Sequence, residues 1–289
     1  MRTLILDVVG ILATAGSLFI VSSGLTLVFG AMRLINVAHG SFYMLGAFVM
    51  TTVAANSAGA RFWVAVAAAT VVVAVLSVVV EVSVMRRIYA SDHLTHLLAT
   101  FAVSLIVADL ALRVWGSGGR SVREPSVATG AVSLGGATFP AYDLVLIAAA
   151  FAVGLGLWLL LTRTPFGWRI RAAVDDPELL SCTGTRLSLL RTGVFMLGAA
   201  LAAFAGALVS PQVTVAPGMD TAIIVSAFIV AVIGGLGSIP GAALGALIIG
   251  VAETLGASYA PSWSSSFMYL AMIAVLVMLP SGLLGRAER

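Results

Sequence analysis

The chain of 289 residues contains no lysine and a single cysteine, Cys182. Without lysine it cannot form the G-x-x-x-x-G-K-[ST] phosphate-binding loop, so it does not hydrolyse ATP by that route. The H-E-x-x-H and G-x-S-x-G patterns of metalloproteases and serine hydrolases are absent as well. One cysteine excludes an internal disulfide framework and a thiolate metal cluster. The sequence therefore favours a protein that is not an enzyme and has no cofactor of its own.

Charged residues are scarce too, at 9% of the chain, whereas 61% are hydrophobic and the mean hydropathy is +1.12. This composition is typical of a polytopic membrane protein. Because a spanning helix needs about 20 apolar residues, about eight to ten segments fit in this length. We predict an all-α transmembrane helix bundle that forms a single domain over residues 1–289. The pI of about 9.5 reflects arginines in loops and does not indicate nucleic acid.

The apolar runs divide into nine segments in our working interpretation. They are residues 5–29, 34–48, 62–85, 96–115, 144–161 and 189–209, two segments between 221 and 252, and 267–284. Arginines follow alternate segments, which places the amino end outside and the carboxyl end inside. A stretch rich in Gly, Ser, Thr and Pro, 116–140, is predicted to be an outer loop that contains either a short hairpin or a surface helix. We expect Glu81 to pair with Arg86 and Asp109 to pair with Arg113.

The longest charged interruption, residues 162–191, carries five arginines and belongs on the cytoplasmic side. Asp175 and Asp176 are suitable N-cap residues, and Pro177 suits a first helical position. Glu178 then lies in a first turn, where negative charge is favoured. We predict a short helix from Pro177 to about Cys182, ended by Gly184. The loop is either a docking element or the basic loop that any polytopic protein can carry.

Two places in the apolar runs break the expected helical pattern. Asn36 and His39 precede Gly40 inside an apolar run, so this segment is either a turn at the membrane face or a helix break beside a translocation path. Metal binding there is improbable, because the other histidines precede a different segment.

The second break lies where residues 221–252 carry no charge, because a straight helix of that length would reach about 48 Å. A break is therefore predicted in the stretch G-G-L-G-S-I-P-G, which contains Gly237 and Gly241, and the two halves either both span or form a re-entrant hairpin. Glu253 follows, either in a structural pair or on the path.

Four stretches resemble the permeases of branched-chain amino acid (Liv-type) ABC importers. They are G-L-T-L-V-F-G-A-M-R-L-I-N-V-A-H-G-S-F-Y-M-L-G-A, E-x-x-x-x-R from Glu81 followed by L-L-A-T-F-A-V-S-L-I, the loop 162–191, and G-G-L-G-S-I-P-G-A-A-L-G. The second departs from the family in having Arg87-Ile88 where Pro-Leu is usual. The loop departs from the family in having Leu179-Leu180 where Ala-Ala is usual and Thr185 where Ile is usual. The resemblance implies that the loop couples the protein to an ATPase through Arg169, Arg171, Asp175, Asp176, Glu178 and Gly184. It also implies that Asn36, His39, Gly40, Gly237, Gly241 and Glu253 lie on the path or at helix breaks.

The function implied is that of a membrane-spanning permease subunit in the bacterial inner membrane, which imports leucine, isoleucine, valine or other apolar amino acids. The partners implied are a second, homologous (LivM-like) permease subunit, two cytoplasmic ATPases that bind the ATP, and an extracytoplasmic substrate-binding protein. A permease for urea or short amides is an alternative within the family. A stand-alone proton-coupled carrier or channel is an alternative outside it, and would need paired carboxylates within the membrane.

Overall fold

The computed structural model describes residues 2–54, 59–89, 91–126, 128–134 and 136–285. Helices make up nearly all of this part of the chain, and one hairpin, β1 (Ala131–Leu134) with β2 (Ala137–Pro140), interrupts them. The helices of the first half are α1 (Arg2–Met32), α2 (His39–Ala54), α3 (Ala60–Val80), α4 (Arg86–Ile88), α5 (His93–Trp115) and α6 (Ala141–Arg163). Those of the second half are α7 (Pro165–Asp175), α8 (Pro177–Cys182), α9 (Leu187–Val209), α10 (Met219–Gly234), α11 (Ile239–Tyr259) and α12 (Ser264–Met278).

Within the described residues, six helices are long and apolar enough to cross a membrane: α1, α3 with its continuation to Ile88, α5, α6, α9 and α11. α10 and most of α12 form shorter apolar helices. Large apolar side chains cover the outside of the bundle, as at Phe151, which is 75% exposed. Such a surface suits lipid rather than water, and the all-α polytopic fold is confirmed. The number of nine membrane segments stays a prediction.

The two ends of the bundle differ in charge. At one end, called the basic end, α1 stops before Arg33, α6 stops at Arg163, and α7 follows with Arg169 and Arg171. α8 lies at the same end. At the opposite end the Trp115 indole donates to Thr52 Oγ1 at 2.8 Å, and the Tyr142 hydroxyl donates to the Leu208 carbonyl at 2.6 Å. The positive-inside bias predicts that the basic end is cytoplasmic. Arg286 and Arg289, also expected inside, lie outside the described residues.

α2 begins in the middle of the bundle rather than at its basic end. Residues 34–38, called the first strap, run back from Arg33 along α1, so that His39 Nε2 reaches the Val21 carbonyl at 2.8 Å. Val21 is eleven residues before the end of α1, or about 17 Å along its axis. The segment is therefore neither a turn at the membrane face nor a kink within one helix. It is a re-entrant stretch followed by a helix of only 16 residues.

α10 has the inverse arrangement. α9 runs to the end opposite the basic end, and residues 210–218, called the second strap, turn back into the bundle before α10 starts at Met219. α3 packs against α2 and α9, and α11 packs in the same way against α10 and α1. The three-helix units α1–α2–α3 and α9–α10–α11 are thus related as an inverted repeat, an architecture that transporters use to build a path between repeats.

Several expectations need correction in detail. The predicted break between α10 and α11 is a turn at residues 235–238, so Gly237 lies in the break whereas Gly241 lies inside α11. Glu81 pairs with Arg86 at 3.1 Å, but the turn between them, Glu81–Met85, is π-helical, which aligns residues five apart. The pair of Asp109 with Arg113 at 2.7 Å and the hairpin in the outer loop are confirmed.

Candidate functional site

The amino ends of α2 and α10 meet inside the bundle, and we call their contact the midplane junction. Its residues are His39, Gly40 and Ser41 of α2 with Asp220 and Ile224 of α10. Ser41 Oγ donates to Asp220 Oδ2 at 3.1 Å. A Cβ placed on Gly40 would lie 2.5 Å from the Asp220 carbonyl oxygen and 2.9 Å from Ile224 Cβ. Only glycine therefore allows the two helix ends to approach this closely, and the junction is closed.

The position of the junction along the bundle follows from the packing of α1 on α9. A Cβ on Gly24 would lie 2.7 Å from the Gly198 carbonyl oxygen and 2.9 Å from His39 Cε1. Gly198 is the central residue of α9, with eleven helical residues on either side. His39 thus lies near half the depth of a spanning helix, where ligand sites of transporters with broken helices occur.

The first strap is fixed by hydrogen bonds to its neighbours. The Val37 amide donates to Thr100 Oγ1 of α5 at 3.2 Å. His39 Nε2 must donate to the Val21 carbonyl, since a carbonyl only accepts, so Nδ1 of the neutral ring is an acceptor. That Nδ1 and Asn36 Oδ1 are buried and have no hydrogen-bond partner among the described residues. Two acceptors therefore stand unused beside the junction.

The remaining predicted path residues lie elsewhere. Gly237 adopts φ +87° in the turn before α11 and packs on Gly30, at the basic end. Gly241 packs against Gly234, which brings α10 and α11 together. Glu253 is half-buried on α11, three residues after Gly250, whose neighbours are Ile11 and Ala15 of α1. The structure brings Asn36, His39 and Gly40 together but separates the other three from them.

The predicted coupling loop forms two helices at the basic end. Asp176 is the N-cap of α8, where Oδ1 accepts from the Leu179 amide at 2.9 Å, and α8 ends as predicted, with Gly184 at φ +80°. Asp175 is not a cap: it is the last residue of α7. α7 begins directly after α6, where Thr164 caps it by accepting from the Gly167 amide at 3.2 Å.

Most polar residues of this helix pair face outward. Arg169, Arg171, Asp175, Asp176, Glu178 and Gly184 are all exposed. Leu180 is buried and anchors α8, whereas Leu179 is 66% exposed. Gly167 holds α7 against α6, since a Cβ there would lie 2.4 Å from the Leu160 carbonyl oxygen. α7 and α8 thus form a rigid, charged projection.

A cavity of about 300 Å³ lies behind this projection. Its lining comes from the end of α1 with Arg33, from α7 and the start of α8, and from α9. The cavity thus lies between the projection and Arg33, the residue that precedes the first strap.

A buried carboxylate beside the projection ties α3 to α9. Glu81 is fully buried and accepts from Arg86 at 3.1 Å, Thr192 Oγ1 at 2.7 Å and the Tyr89 hydroxyl at 2.9 Å. Burial, followed by the hydrogen bond and charge of Glu81, raises the pKa of Tyr89, so the phenol stays protonated and remains a donor. The Arg191 guanidinium stacks over the Tyr89 ring at 5.1 Å.

Sequence reasoning missed Asp220, Ser41 and Thr100. A signal for Asp220 was present, because V-A-H-G at residues 37–40 and V-A-P-G at residues 215–218 each lie at the start of a helix that begins inside the bundle. A four-residue pattern is short, and it becomes informative only when the two segments are seen to meet.

A helical membrane bundle with broken helices meeting at mid-depth and a charged helix pair at one end is the architecture of a transport permease. The sequence model of the family described as branched-chain amino acid transport system, permease component, matches residues 8–276. The chain belongs to this family. It is thus a multi-pass transport subunit of the plasma membrane and not an enzyme.

Similar proteins include the high-affinity branched-chain amino acid transport system permease proteins BraD of Pseudomonas aeruginosa and LivH of Escherichia coli. BraD is 30% identical, with 95% of this chain and 94% of BraD covered, and LivH is 31% identical with the same coverage. A probable branched-chain amino acid permease protein LivH of Methanocaldococcus jannaschii is 28% identical, with 96% of this chain and 91% of that protein covered. No solved structure matches the chain.

Proposed function

We propose that this chain carries leucine, isoleucine and valine into the cytoplasm as one membrane-spanning subunit of a binding-protein-dependent ABC importer. Support comes from its family and from relatives that match nearly its whole length. The observation that carries the proposal is the rigid α7–α8 projection at the basic end, because a permease that does not hydrolyse ATP needs a surface on which an ATPase can act.

Coupling would run through the exposed face of the projection. Glu178 and Leu179 point outward from α8, and Arg169 and Arg171 point outward from α7, so charged and apolar contacts are both offered to an ATPase groove. Movement of the projection would reach Arg33 across the cavity and then the first strap. The strap is a non-helical segment that ends in a turn, and it is tied to α5 at Thr100. It would transmit a pull to the amino end of α2.

The path would pass the midplane junction, with Asn36, His39 and Gly40 beside it. Gly237 would serve as a hinge at the basic end, where its left-handed backbone allows a tight turn. Gly241, in the first turn of α11, would keep α11 close to Gly234 of α10. Glu253 lies on α11, away from the junction. It would line the path only if α11 moves.

The partners would be a second, LivM-like permease subunit, two ATPases and an extracytoplasmic binding protein. A second permease is expected because the exposed apolar sides of α3 and α5 can pack against another membrane helix as well as against lipid. The binding protein would supply most of the selectivity, and it would deliver cargo at the end opposite the projection.

Reconstitution of the complete complex in proteoliposomes tests the cargo. Uptake of labelled leucine should require both ATP and the binding protein, and excess isoleucine or valine should suppress it, whereas urea should not. If urea suppresses the uptake of leucine and isoleucine does not, the protein would be assigned to urea or amide transport instead.

Replacement of Glu178 by arginine tests the coupling surface. Because Glu178 is exposed and its side chain makes no hydrogen bond or ion pair among the described residues, the variant should insert normally but lose leucine uptake. Exposed Arg123 in the outer loop provides the matched control, and Arg123→Glu should transport like the wild type. Normal uptake by Glu178→Arg would remove α8 from the coupling surface.

A further inference from the structure

Asp220 is an acid inside the bundle without a cation beside it. It is 7% exposed, and the described residues contain only two ion pairs, Glu81 with Arg86 and Asp109 with Arg113. Its observed side-chain partner is the hydroxyl of Ser41, itself fully buried. A buried carboxylate with one neutral donor is costly, and carboxylates at membrane depth mark functional sites by default.

The location of Asp220 explains how its charge is tolerated. It lies in the first turn of α10, and Ser41 lies in the first turn of α2. Each helix amino end is equivalent to about half a positive charge. Two such ends converge on one carboxylate, so the junction is a place where an anion is stabilised inside an apolar bundle.

The polar atoms of Asn36 and His39 favour a cation instead. His39 Nδ1 and Asn36 Oδ1 are buried acceptors without a donor. With the Asp220 carboxylate, the first strap and the starts of α2 and α10 thus contain three buried acceptors, and none of them is paired with a cation among the described residues. An ammonium group has three donors and no acceptor, so it supplies what these atoms lack. The junction thus combines two features, a pair of helix ends that suits a carboxylate and three acceptors that suit an ammonium.

We propose that the midplane junction is a gate that recognises the zwitterionic backbone of an amino acid, with Asp220 as the residue that pairs with its ammonium group. In the closed state the Asp220 carboxylate lies at the amino ends of α2 and α10 and accepts a hydrogen bond from the Ser41 hydroxyl. We call this hydrogen bond the latch. When α2 and α10 separate, the cargo carboxylate takes the place of Asp220 at the amino end of α2. Asp220 then pairs with the ammonium group of the cargo, and this group also donates hydrogen bonds to His39 Nδ1 and Asn36 Oδ1. This assignment rests on the proposed function and adds to it a recognition site within the permease.

Two substitutions separate recognition from latching. Asp220→Asn keeps an acceptor for the Ser41 hydroxyl but removes the charge, so the gate should stay closed while leucine uptake by the complete complex falls about 10-fold or more. Ser41→Ala keeps the charge but removes the latch, so leucine should leak several-fold faster from preloaded proteoliposomes without ATP. Asp109→Asn, an exposed acid paired with Arg113, is the control and should change neither rate.

The outcomes are distinguishable from one another. Uptake by Asp220→Asn at the wild-type rate, or leakage by Asp220→Asn equal to that of Ser41→Ala, would overturn the recognition role. If the Asp220→Asn variant does not assemble, Asp220→Glu and Asp220→Gln provide the same test, because glutamate and glutamine are nearly equal in size and differ in charge. Uptake retained by glutamate and lost with glutamine supports the proposal, and equal uptake refutes it. Absence of leucine uptake by the wild-type complex would instead count against the proposed cargo.

Discussion

Thr192→Val is the most informative test of the buried carboxylate at the basic end. Thr192 Oγ1 donates to Glu81 at 2.7 Å and accepts from Arg86 at 2.8 Å, so it is the contact by which α9 reaches the α3 carboxylate. Valine has nearly the shape of threonine and cannot form either bond. The substitution therefore removes hydrogen bonds with little change in packing.

The expected cost follows from the charge and burial of Glu81. A hydrogen bond to a charged group contributes about 1.5–3 kcal/mol, and Glu81 is fully buried, so water does not replace the lost donor. For a domain of this size, each kcal/mol shifts Tm by about 2–4 °C. The variant should therefore unfold about 3–12 °C below the wild type.

The assay is thermal unfolding of the purified complex in detergent, followed by the fraction that stays soluble and monodisperse after heating. Thr70→Val is the matched control, because Thr70 Oγ1 donates only to the Val66 carbonyl of its own helix, at 2.8 Å. Equal shifts in Tm for the two variants would refute the reasoning that Glu81 joins α3 to α9.

Three further predictions concern packing, topology and the end of α8. Gly206→Ala should reduce the amount of folded protein in the membrane, since its Cβ would collide with the Tyr43 carbonyl, whereas Gly156→Ala, with open space around it, should not; equal abundance of the two would contradict the close packing of α2 on α9. The exposed native Cys182 should react with an impermeant thiol reagent only in inside-out vesicles. A variant with both Cys182→Ser and Ser126→Cys should react only when the reagent is added outside. The opposite labelling would invert the topology. Gly184→Asn should retain more leucine uptake than Gly184→Val, because asparagine tolerates the left-handed backbone at φ +80° and valine does not; equal uptake would show that the backbone conformation at Gly184 is unimportant for docking.

The features that the sequence predicted well are those set by local chemistry. The bounds of α8 coincide with the prediction because Asp176, Pro177 and Gly184 act within one or two turns of the chain. The break between α10 and α11 followed from glycine content and from the length of the apolar run. Both arguments need only the residues concerned and their nearest neighbours in sequence.

The midplane junction could not be derived in that way. It joins Gly40 and Ser41 to Asp220, residues about 180 positions apart, and it exists only because α1 packs closely on α9 at Gly24 and Gly198. An aspartate in a first helical turn looks like ordinary helix chemistry from sequence. Similarly, the five-residue spacing of Glu81 and Arg86 depends on a π-helical turn, which has no sequence signal here.

The central claim is that this chain provides a path while partner subunits supply the energy. The direct measurement is leucine uptake by proteoliposomes that contain the complete complex, with the phosphate-loop lysine of both ATPase subunits replaced by alanine. The permease itself, which has no lysine, is unchanged in this experiment. Uptake should fall to the background of protein-free liposomes although the complex assembles. Continued uptake, driven by a proton gradient or by the leucine gradient alone, would contradict the account and identify a stand-alone carrier.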